Sequence, residues 1–179
     1  MPTVWTIGHS TRPIADFLKL LQGHGIERLI DVRTIPRSRH NPQFNTESLA
    51  HSLARAGISY RHVAALGGLR KAKKGSANVG WLNASFRGYA DYMQTEQFWT
   101  ALEDLIASGN GENKAIMCAE AVPWRCHRSL IADALVRRSC EVRHIMSEVK
   151  AGLHQFTSFA KLDHGMIQYP NPEGTPRLF

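Results

Sequence analysis

The chain has 179 residues, of which 43% are hydrophobic and 21% charged, and it carries a formal net charge of +7. These values are typical of a single globular domain and argue against a disordered chain. No apolar run approaches the roughly 20 residues of a membrane span, so we expect no membrane partner. The first residues lack a basic region followed by a cleavage site, so we expect no secretory signal.

Strands and helices alternate through the first third of the chain. Apolar residues recur at helical spacing within 14–21, and short apolar runs bounded by glycine or proline indicate strands. The predicted elements, in chain order, are a strand over 3–7, a helix over 13–22, a strand over 26–32, a helix from Asn45 or Thr46 to Ala56, and a strand over 58–63.

The alternation continues after a long loop. Residues 64–83 are rich in glycine and lysine and lack periodicity, which is typical of a functional or disordered loop. Two helices (86–94 and 95–107), a strand (114–118), a helix (129–138) and a strand (141–145) are predicted to follow. Residues 170–179, which contain several prolines, are predicted to form an extended tail, so residues 1–169 form a single domain.

This order of elements predicts a three-layer α/β domain with a mainly parallel five-stranded sheet and helices on both faces. Right-handed crossovers bring the carboxyl ends of parallel strands to one edge, where ligands of such sheets bind. The loops at that edge are expected to be residues 8–10, 31–40 and 119–128. The candidate site is therefore predicted where these three loops meet.

The segment after the fourth predicted strand carries the densest set of reactive groups. Cys126 stands near the start of a helix, whose free N–H groups and positive dipole end lower a thiol pKa, so we predict a nucleophilic or ligating thiolate. Cys118 ends a buried strand and is either a second thiol of the site or an inert core residue. Glu120, between them, is a candidate base or orienting acid.

Basic side chains in the same loops are candidate anion-binding groups. Arg125, His127 and Arg128 surround the predicted helix start, where they either bind a phosphate or pair with nearby acids. Arg33 lies in the loop after the second strand, and Arg37 and Arg39, which flank Ser38 in the same loop, suit contact with a phosphate. The residues assigned to substrate binding are Arg33, Arg39, Arg125, His127 and Arg128.

Three further residues each allow more than one interpretation. Asp31 ends the second strand and either acts as a base or orienting acid, binds a ribose hydroxyl, or pairs with Arg33. His9 follows the first strand and either enters the site or belongs only to the turn. Tyr89 either stacks on a base of the substrate or packs in the core.

The cysteines and histidines form no recognisable metal-binding motif. A site built from His9, Cys118, Cys126 and His127 has no support from the spacing, so no metal ligand is assigned and the cofactor stays unknown. Three cysteines, an odd number, argue against a disulfide framework. We therefore expect a reducing compartment, the cytoplasm.

The charge of the chain is concentrated between Arg28 and Lys74. This segment holds ten Lys or Arg residues and two acids, a local charge of +8, so the remainder sums to about −1. Such a basic segment favours partners that carry phosphate, although it is also compatible with an ordinary solvated surface.

An ordered set of short motifs resembles the "domain of unknown function 488" family. The motifs are Thr6-Ile-Gly-His-Ser10, Asp31-Val-Arg33 with Pro36 and Ser38-Arg39, Leu66-Gly-Gly-Leu-Arg70, Phe86-Arg-Gly-Tyr89, Met117-Cys-Ala-Glu120 and Cys126-His-Arg128. The resemblance spans roughly residues 3–160 and implies a small cytoplasmic α/β domain without a particular reaction. It adds weight to the candidate residues that lie within the motifs.

Two functions fit these patterns. The first is an enzyme, a thiol- or carboxylate-dependent hydrolase or transferase, that acts on a nucleotide, a nucleic acid or another phosphate-bearing substrate. The second is a non-catalytic module that binds nucleic acid through the basic segment from Arg28 to Lys74. Catalysis requires a thiol and Glu120, whereas electrostatic binding requires only the Lys and Arg residues distributed over the basic segment. The sequence does not indicate an oligomeric state.

Overall fold

The computed structural model describes residues 1–109 and 111–172. Its strands are β1 (Thr3–Gly8), β2 (Arg28–Asp31), β3 (Ser59–His62), β4 (Lys114–Cys118), β5 (Glu141–Ile145), β6 (Ala151–Leu153), β7 (Lys161–Asp163) and β8 (Met166–Gln168). Its α-helices are α1 (Ile14–Gly23), α2 (Thr46–Arg55), α3 (Ala84–Tyr92), α4 (Glu96–Ala107) and α5 (Arg128–Arg137).

Six of the strands form one sheet in the order β3-β2-β4-β1-β5-β6. The first five are mutually parallel, and β6 pairs antiparallel with β5 at the edge. The predicted α/β fold with a mainly parallel sheet is confirmed. The sequence did not predict β6 or the separate β7–β8 pair, because three-residue strands are too short to show a hydrophobic period.

The central strand β4 is buried along its whole length. Apolar side chains point to both faces, as expected for a parallel strand covered on either side. Lys114, at its start, is the exception, and its ammonium group donates to the carbonyl oxygens of Leu105, Ile106 and Ser108 at the end of α4. The cation thereby satisfies carbonyl groups that have no partner within the helix.

Helices cover both faces of the sheet and complete the three layers. On one face, Phe17 and Leu21 of α1 and Leu53 of α2 pack in a core that includes Leu29 and Met117. The other face carries a larger core, to which α3, α4, α5 and β8 contribute. Hydrophobic burial on two faces holds the strand ends, and hence the loops after them, in fixed relative positions.

The long loop before α3 is organised by a buried acid. Asp91 of α3 accepts hydrogen bonds from the backbone N–H of Lys73 (2.7 Å), the hydroxyl of Ser76 (2.5 Å) and the side-chain amide of Asn78 (2.9 Å). Residues 64–83 lack hydrophobic periodicity because they form an ordered loop, part of which is held by these hydrogen bonds to Asp91.

Most of the predicted tail falls outside the described residues, which end at position 172. Among the helices of the described ranges, none combines the length and the apolar character that crossing a membrane requires.

Candidate functional site

The carboxyl ends of β1, β2 and β4 lie side by side at one edge of the sheet. Gly8 is in register with Cys118, and Asp31 with Met117. Beyond the strands, the N–H of His9 donates to the carbonyl of Cys118 (2.9 Å), and that of Ser10 to the carbonyl of Ala119 (2.8 Å). A cleft of about 640 Å³ opens over this edge.

Gly8 allows the loop after β4 to lie directly against the end of β1. A Cβ atom at this position would be 1.8 Å from the carbonyl oxygen of Glu120, far inside contact distance. The same oxygen accepts a hydrogen bond from Nη2 of Arg128 (2.7 Å). A side chain at Gly8 would therefore displace the loop that forms one wall of the cleft.

Seven of the eleven predicted site residues line the cleft. They are His9, Arg33, Cys118, Glu120, Arg125, Cys126 and His127. The other four, Asp31, Arg39, Tyr89 and Arg128, do not line it. Loops far apart in the sequence therefore meet at one site, and several predicted residues belong to its surroundings.

Two thiols and an imidazole form a compact cluster at the base of the cleft. Nδ1 of His127 lies 3.9 Å from Sγ of Cys118 and 3.7 Å from Sγ of Cys126. All three atoms lie within 4.8 Å of one another. Cys118 and Cys126 are 9% and 4% exposed, so the cluster is largely desolvated.

The environment of Cys126 favours its thiolate. A hydrogen bond from the Cys118 thiol lowers the pKa of Cys126, and His127 and Arg128 act in the same direction against the effect of burial. The N–H of Arg128 also points to Sγ of Cys126 at 3.5 Å, at the start of α5. The same thiol–thiol contact, together with burial, raises the pKa of Cys118. A proton shared by the pair is therefore favoured on Cys118 over Cys126.

His127 is held in one orientation by its surroundings. Its Nε2 lies 3.1 Å from the carbonyl oxygen of Val32 and donates to it, because a carbonyl only accepts. Tyr89 packs beneath the imidazole, with ring centroids 4.9 Å apart, and its hydroxyl donates to the carbonyl of Leu66. Tyr89 is fully buried, so it supports His127 from the core and does not stack on a ligand.

Asp31 and Arg33 form a buried ion pair behind the cleft. Nε and Nη2 of Arg33 donate to the two carboxylate oxygens at 2.9 and 2.6 Å, and Tyr60 donates to the same carboxylate at 2.8 Å. Burial, followed by the charge of Asp31, raises the pKa of Tyr60 to about 12. Asp31 is wholly buried and has its partners, so it positions Arg33 instead of serving as a base.

His9 connects this ion pair to the cleft. Its Nδ1 donates to the carbonyl of Ser10 (2.7 Å), and its Nε2 accepts from Nη1 of Arg33 (3.3 Å). Its ring stacks on Phe44 with centroids 4.2 Å apart. Burial lowers the pKa of His9 to about 4, so the imidazole is neutral at pH 7.

Arg128 is an interior residue, 1% exposed. Its guanidinium donates to the carbonyl oxygen of Glu120 at 2.7 Å and to the hydroxyl of Thr6 at 3.4 Å. This guanidinium joins the loop after β4 to β1 and lies outside the cleft lining, so Arg128 does not occupy the anion-binding position predicted for it.

Two exposed arginines remain available at the mouth of the cleft. Arg125 ends a short 3-10 turn (Pro123–Arg125), and Arg37 belongs to the loop after β2. Within residues 1–109 and 111–172, neither guanidinium has a hydrogen-bonding or ionic partner. Arg39 is also exposed but does not line the cleft. Glu120 lies on the rim as the one acid of the lining.

Sequence reasoning left several lining residues unassigned. They are Ser10, Thr11, Thr34, Ile35, Ser38, Asn41, Gly68, Leu69, Ser85, Phe86, Ala119 and Ala121, whereas Arg37 was expected to contact a phosphate. Gly68 has a steric role, because a Cβ there would lie 2.5 Å from Nδ1 of His127. The sequence indicates this position only through the motif Leu66-Gly-Gly-Leu-Arg70, which contains Gly68. Arg37 and Arg39 have the same local pattern, so no sequence signal separates them.

These features define a parallel α/β domain whose cleft, at the carboxyl edge of the sheet, is lined by thiols and arginines. The chain belongs to the family described as "Domain of unknown function DUF488", whose model matches residues 13–135. The resemblance seen in the motifs is thereby confirmed. The matched segment contains every predicted site residue except His9. No curated protein and no solved structure shows significant similarity to the chain.

Proposed function

We propose that the protein is an enzyme, a hydrolase or transferase, that acts on a phosphate-bearing substrate in this cleft. One observation carries the proposal: a desolvated thiol–imidazole cluster faces the same cavity as two arginines that have no partner among the described residues. The cluster supplies the reactive groups, and Arg37 and Arg125 supply donors for phosphate oxygens.

The charge of the cleft supports an anionic substrate. Three arginines (Arg33, Arg37 and Arg125) and one acid, Glu120, line it, so positive charge exceeds negative. Arg33 is already neutralised by Asp31, which leaves Arg37 and Arg125 to attract and hold the anion. Glu120 is the exposed carboxylate nearest in sequence to the cluster and is our candidate for proton transfer.

The apolar part of the lining narrows the class of substrate. Ile35 and Leu69 are 62% and 73% exposed at the cleft, and Phe86 also lines it. A volume of about 640 Å³ lies in the range of small-molecule sites. A nucleotide has an anionic part that matches the positive charge of the cleft and an aromatic base that matches its apolar lining.

Three basic residues of the segment from Arg28 to Lys74 already have partners within the protein, which reduces the surface available for nucleic acid. Within the basic segment, Arg28 pairs with Glu112 (2.9 Å), and Arg33 pairs with Asp31. Arg70 lies over the Tyr92 ring at 3.7 Å. These three positive charges are thus engaged in intramolecular contacts.

All three cysteines are free thiols, which supports a reducing, cytoplasmic location.

Removing Arg37 is expected to weaken phosphate binding. The Arg37→Gln variant should bind adenosine 5′-monophosphate about tenfold more weakly, because a hydrogen bond to a charged group is worth about 1.5–3 kcal/mol. Arg39→Gln is the matched control, since it removes the same charge two residues away but outside the cleft. Isothermal titration calorimetry measures both affinities. Equal weakening in the two variants would indicate general electrostatic attraction and contradict the cleft.

Catalysis is expected to depend on Cys126. Wild-type protein should convert at least one member of a panel of nucleoside mono-, di- and triphosphates, followed by ³¹P NMR. Cys126→Ser should lower the rate by about 100-fold or more, the scale of a directly participating group. Cys140→Ser, which changes a buried thiol just before β5, should retain activity. Salt-sensitive nucleic-acid binding without turnover of any substrate would favour the binding module instead.

A further inference from the structure

We propose that Cys118, Cys126 and His127 bind a divalent metal ion of the zinc type at the base of the cleft. The inference concerns the site of the proposed function, but it does not depend on the reaction. It goes further by identifying the cofactor class that the three side chains suit. Two thiols and an imidazole are the donor set that zinc and other borderline-soft ions prefer.

The distances within the cluster match a tetrahedral ion. With Zn–S of about 2.3 Å and Zn–N of about 2.0–2.1 Å, tetrahedral ligand atoms lie about 3.6 Å (S to N) and about 3.8 Å (S to S) apart. The observed separations from Nδ1 of His127 are 3.9 Å to Cys118 and 3.7 Å to Cys126. The three donor atoms span no more than 4.8 Å. Small side-chain rotations suffice to close them around one ion.

The imidazole presents the correct nitrogen. Nε2 of His127 donates its proton to the carbonyl of Val32, which leaves Nδ1 as the nitrogen that faces both sulfurs. Metal-binding histidines are commonly oriented by such a contact to a backbone carbonyl. The N–H of Arg128, 3.5 Å from Sγ of Cys126, gives that sulfur a comparable outer contact.

The arrangement leaves one coordination position open to the cleft. All three candidate ligands line the cavity. Three protein ligands with an open fourth position are typical of catalytic zinc, including sites with two cysteines and one histidine. Two thiolates neutralise the ion, and the thiol protons pass to solvent on binding. A water or a phosphate oxygen then occupies the open position.

Cobalt substitution tests the site on the full-length chain. Metal-free, reduced protein titrated with Co²⁺ should bind one equivalent and develop a thiolate-to-cobalt charge-transfer band with the intense visible bands of four-coordinate Co²⁺. Zn²⁺ should displace the cobalt and abolish these bands. Cys118→Ser, Cys126→Ser and His127→Ala should each lose or alter the charge-transfer spectrum, whereas Cys140→Ser should match the wild type.

A second measurement avoids reliance on variants that fail to fold. In wild-type protein, bound Zn²⁺ should protect Cys118 and Cys126 from alkylation and leave the rate at Cys140 unchanged, as read by mass spectrometry. Absence of a charge-transfer band, unprotected thiols, or a Cys118–Cys126 disulfide in freshly prepared protein would each overturn the metal site. Turnover by a protein that binds no metal would refute this inference alone, and metal binding without turnover would refute only the proposed reaction.

Discussion

Replacement of Asp133 by alanine is expected to lower the free energy of unfolding by about 3–5 kcal/mol, the range for removing one partner of a buried charged network. Asp133 lies on α5 and is wholly buried. Its carboxylate accepts from Nε2 of His154 (2.9 Å), from the hydroxyl of Tyr169 (2.8 Å), and from both the N–H and the hydroxyl of Thr157 (3.0 and 2.7 Å). Truncation leaves these donors buried without an acceptor.

We expect the Asp133→Ala substitution to loosen the segment after β6 as well as to lower the stability of the whole protein. Thr157 and Tyr169 belong to the segment after β6, so their contacts with Asp133 fasten this segment to α5. Urea denaturation gives the loss of stability, and hydrogen exchange should show reduced protection between residues 154 and 169. Asp104→Ala, at an exposed position of α4, is the control and should change stability by less than about 0.5 kcal/mol. An equal effect of the two substitutions would contradict the network.

Acidification is expected to destabilise the fold between about pH 6.5 and pH 4. Burial is the largest cause that lowers the pKa of both His9 and His144 from 6.5 to about 4. Above pH 6.5 both imidazoles are neutral in the folded and unfolded chain, so they contribute no pH dependence. Below it, the unfolded chain takes up protons that the folded protein does not. Each histidine then reduces stability by up to about 1.4 kcal/mol per pH unit.

The contacts of His9 explain the sign of this effect. A proton on Nε2 would turn the acceptor of the Arg33 hydrogen bond into a donor that faces the guanidinium. Denaturant titrations between pH 7 and pH 4.5 measure the slope. His9→Gln and His144→Gln should each make it shallower, whereas His51→Gln, at an exposed position on α2, should leave it unchanged. A slope insensitive to both buried substitutions would refute the assignment.

The predictable part of this protein is local and periodic. The apolar spacing within 14–21 and the apolar run that ends at Cys118 indicate a helix and a strand, because each pattern reports which side of one element is buried. The order of these elements then predicts a parallel sheet, since short crossovers restrict the topology. That step is enough to bring His9, Cys118 and Cys126 to one edge of the sheet.

Tertiary packing decides the role of each charged side chain. Arg37 and Arg39 stand in the same loop with similar neighbours in sequence, yet only Arg37 lines the cleft. Arg128 and Asp31 resemble site residues, but their partners come from distant segments and hold them in the interior. Burial and partner choice depend on the whole fold, so no local pattern distinguishes these cases.

The thiol–imidazole cluster shows the same division. The sequence by itself determined that Cys118 ends a strand and that Cys126 and His127 precede a helix, because hydrophobic periodicity marks those boundaries. The spacing of the cysteines matches no metal-binding motif, and only the folded loop brings their sulfurs within 4.8 Å of each other and of Nδ1 of His127. The orientation of the ring depends on Val32, 95 residues away. The packing of the strands fixes the relative positions of the loops that form this site. No local sequence pattern predicts that packing directly.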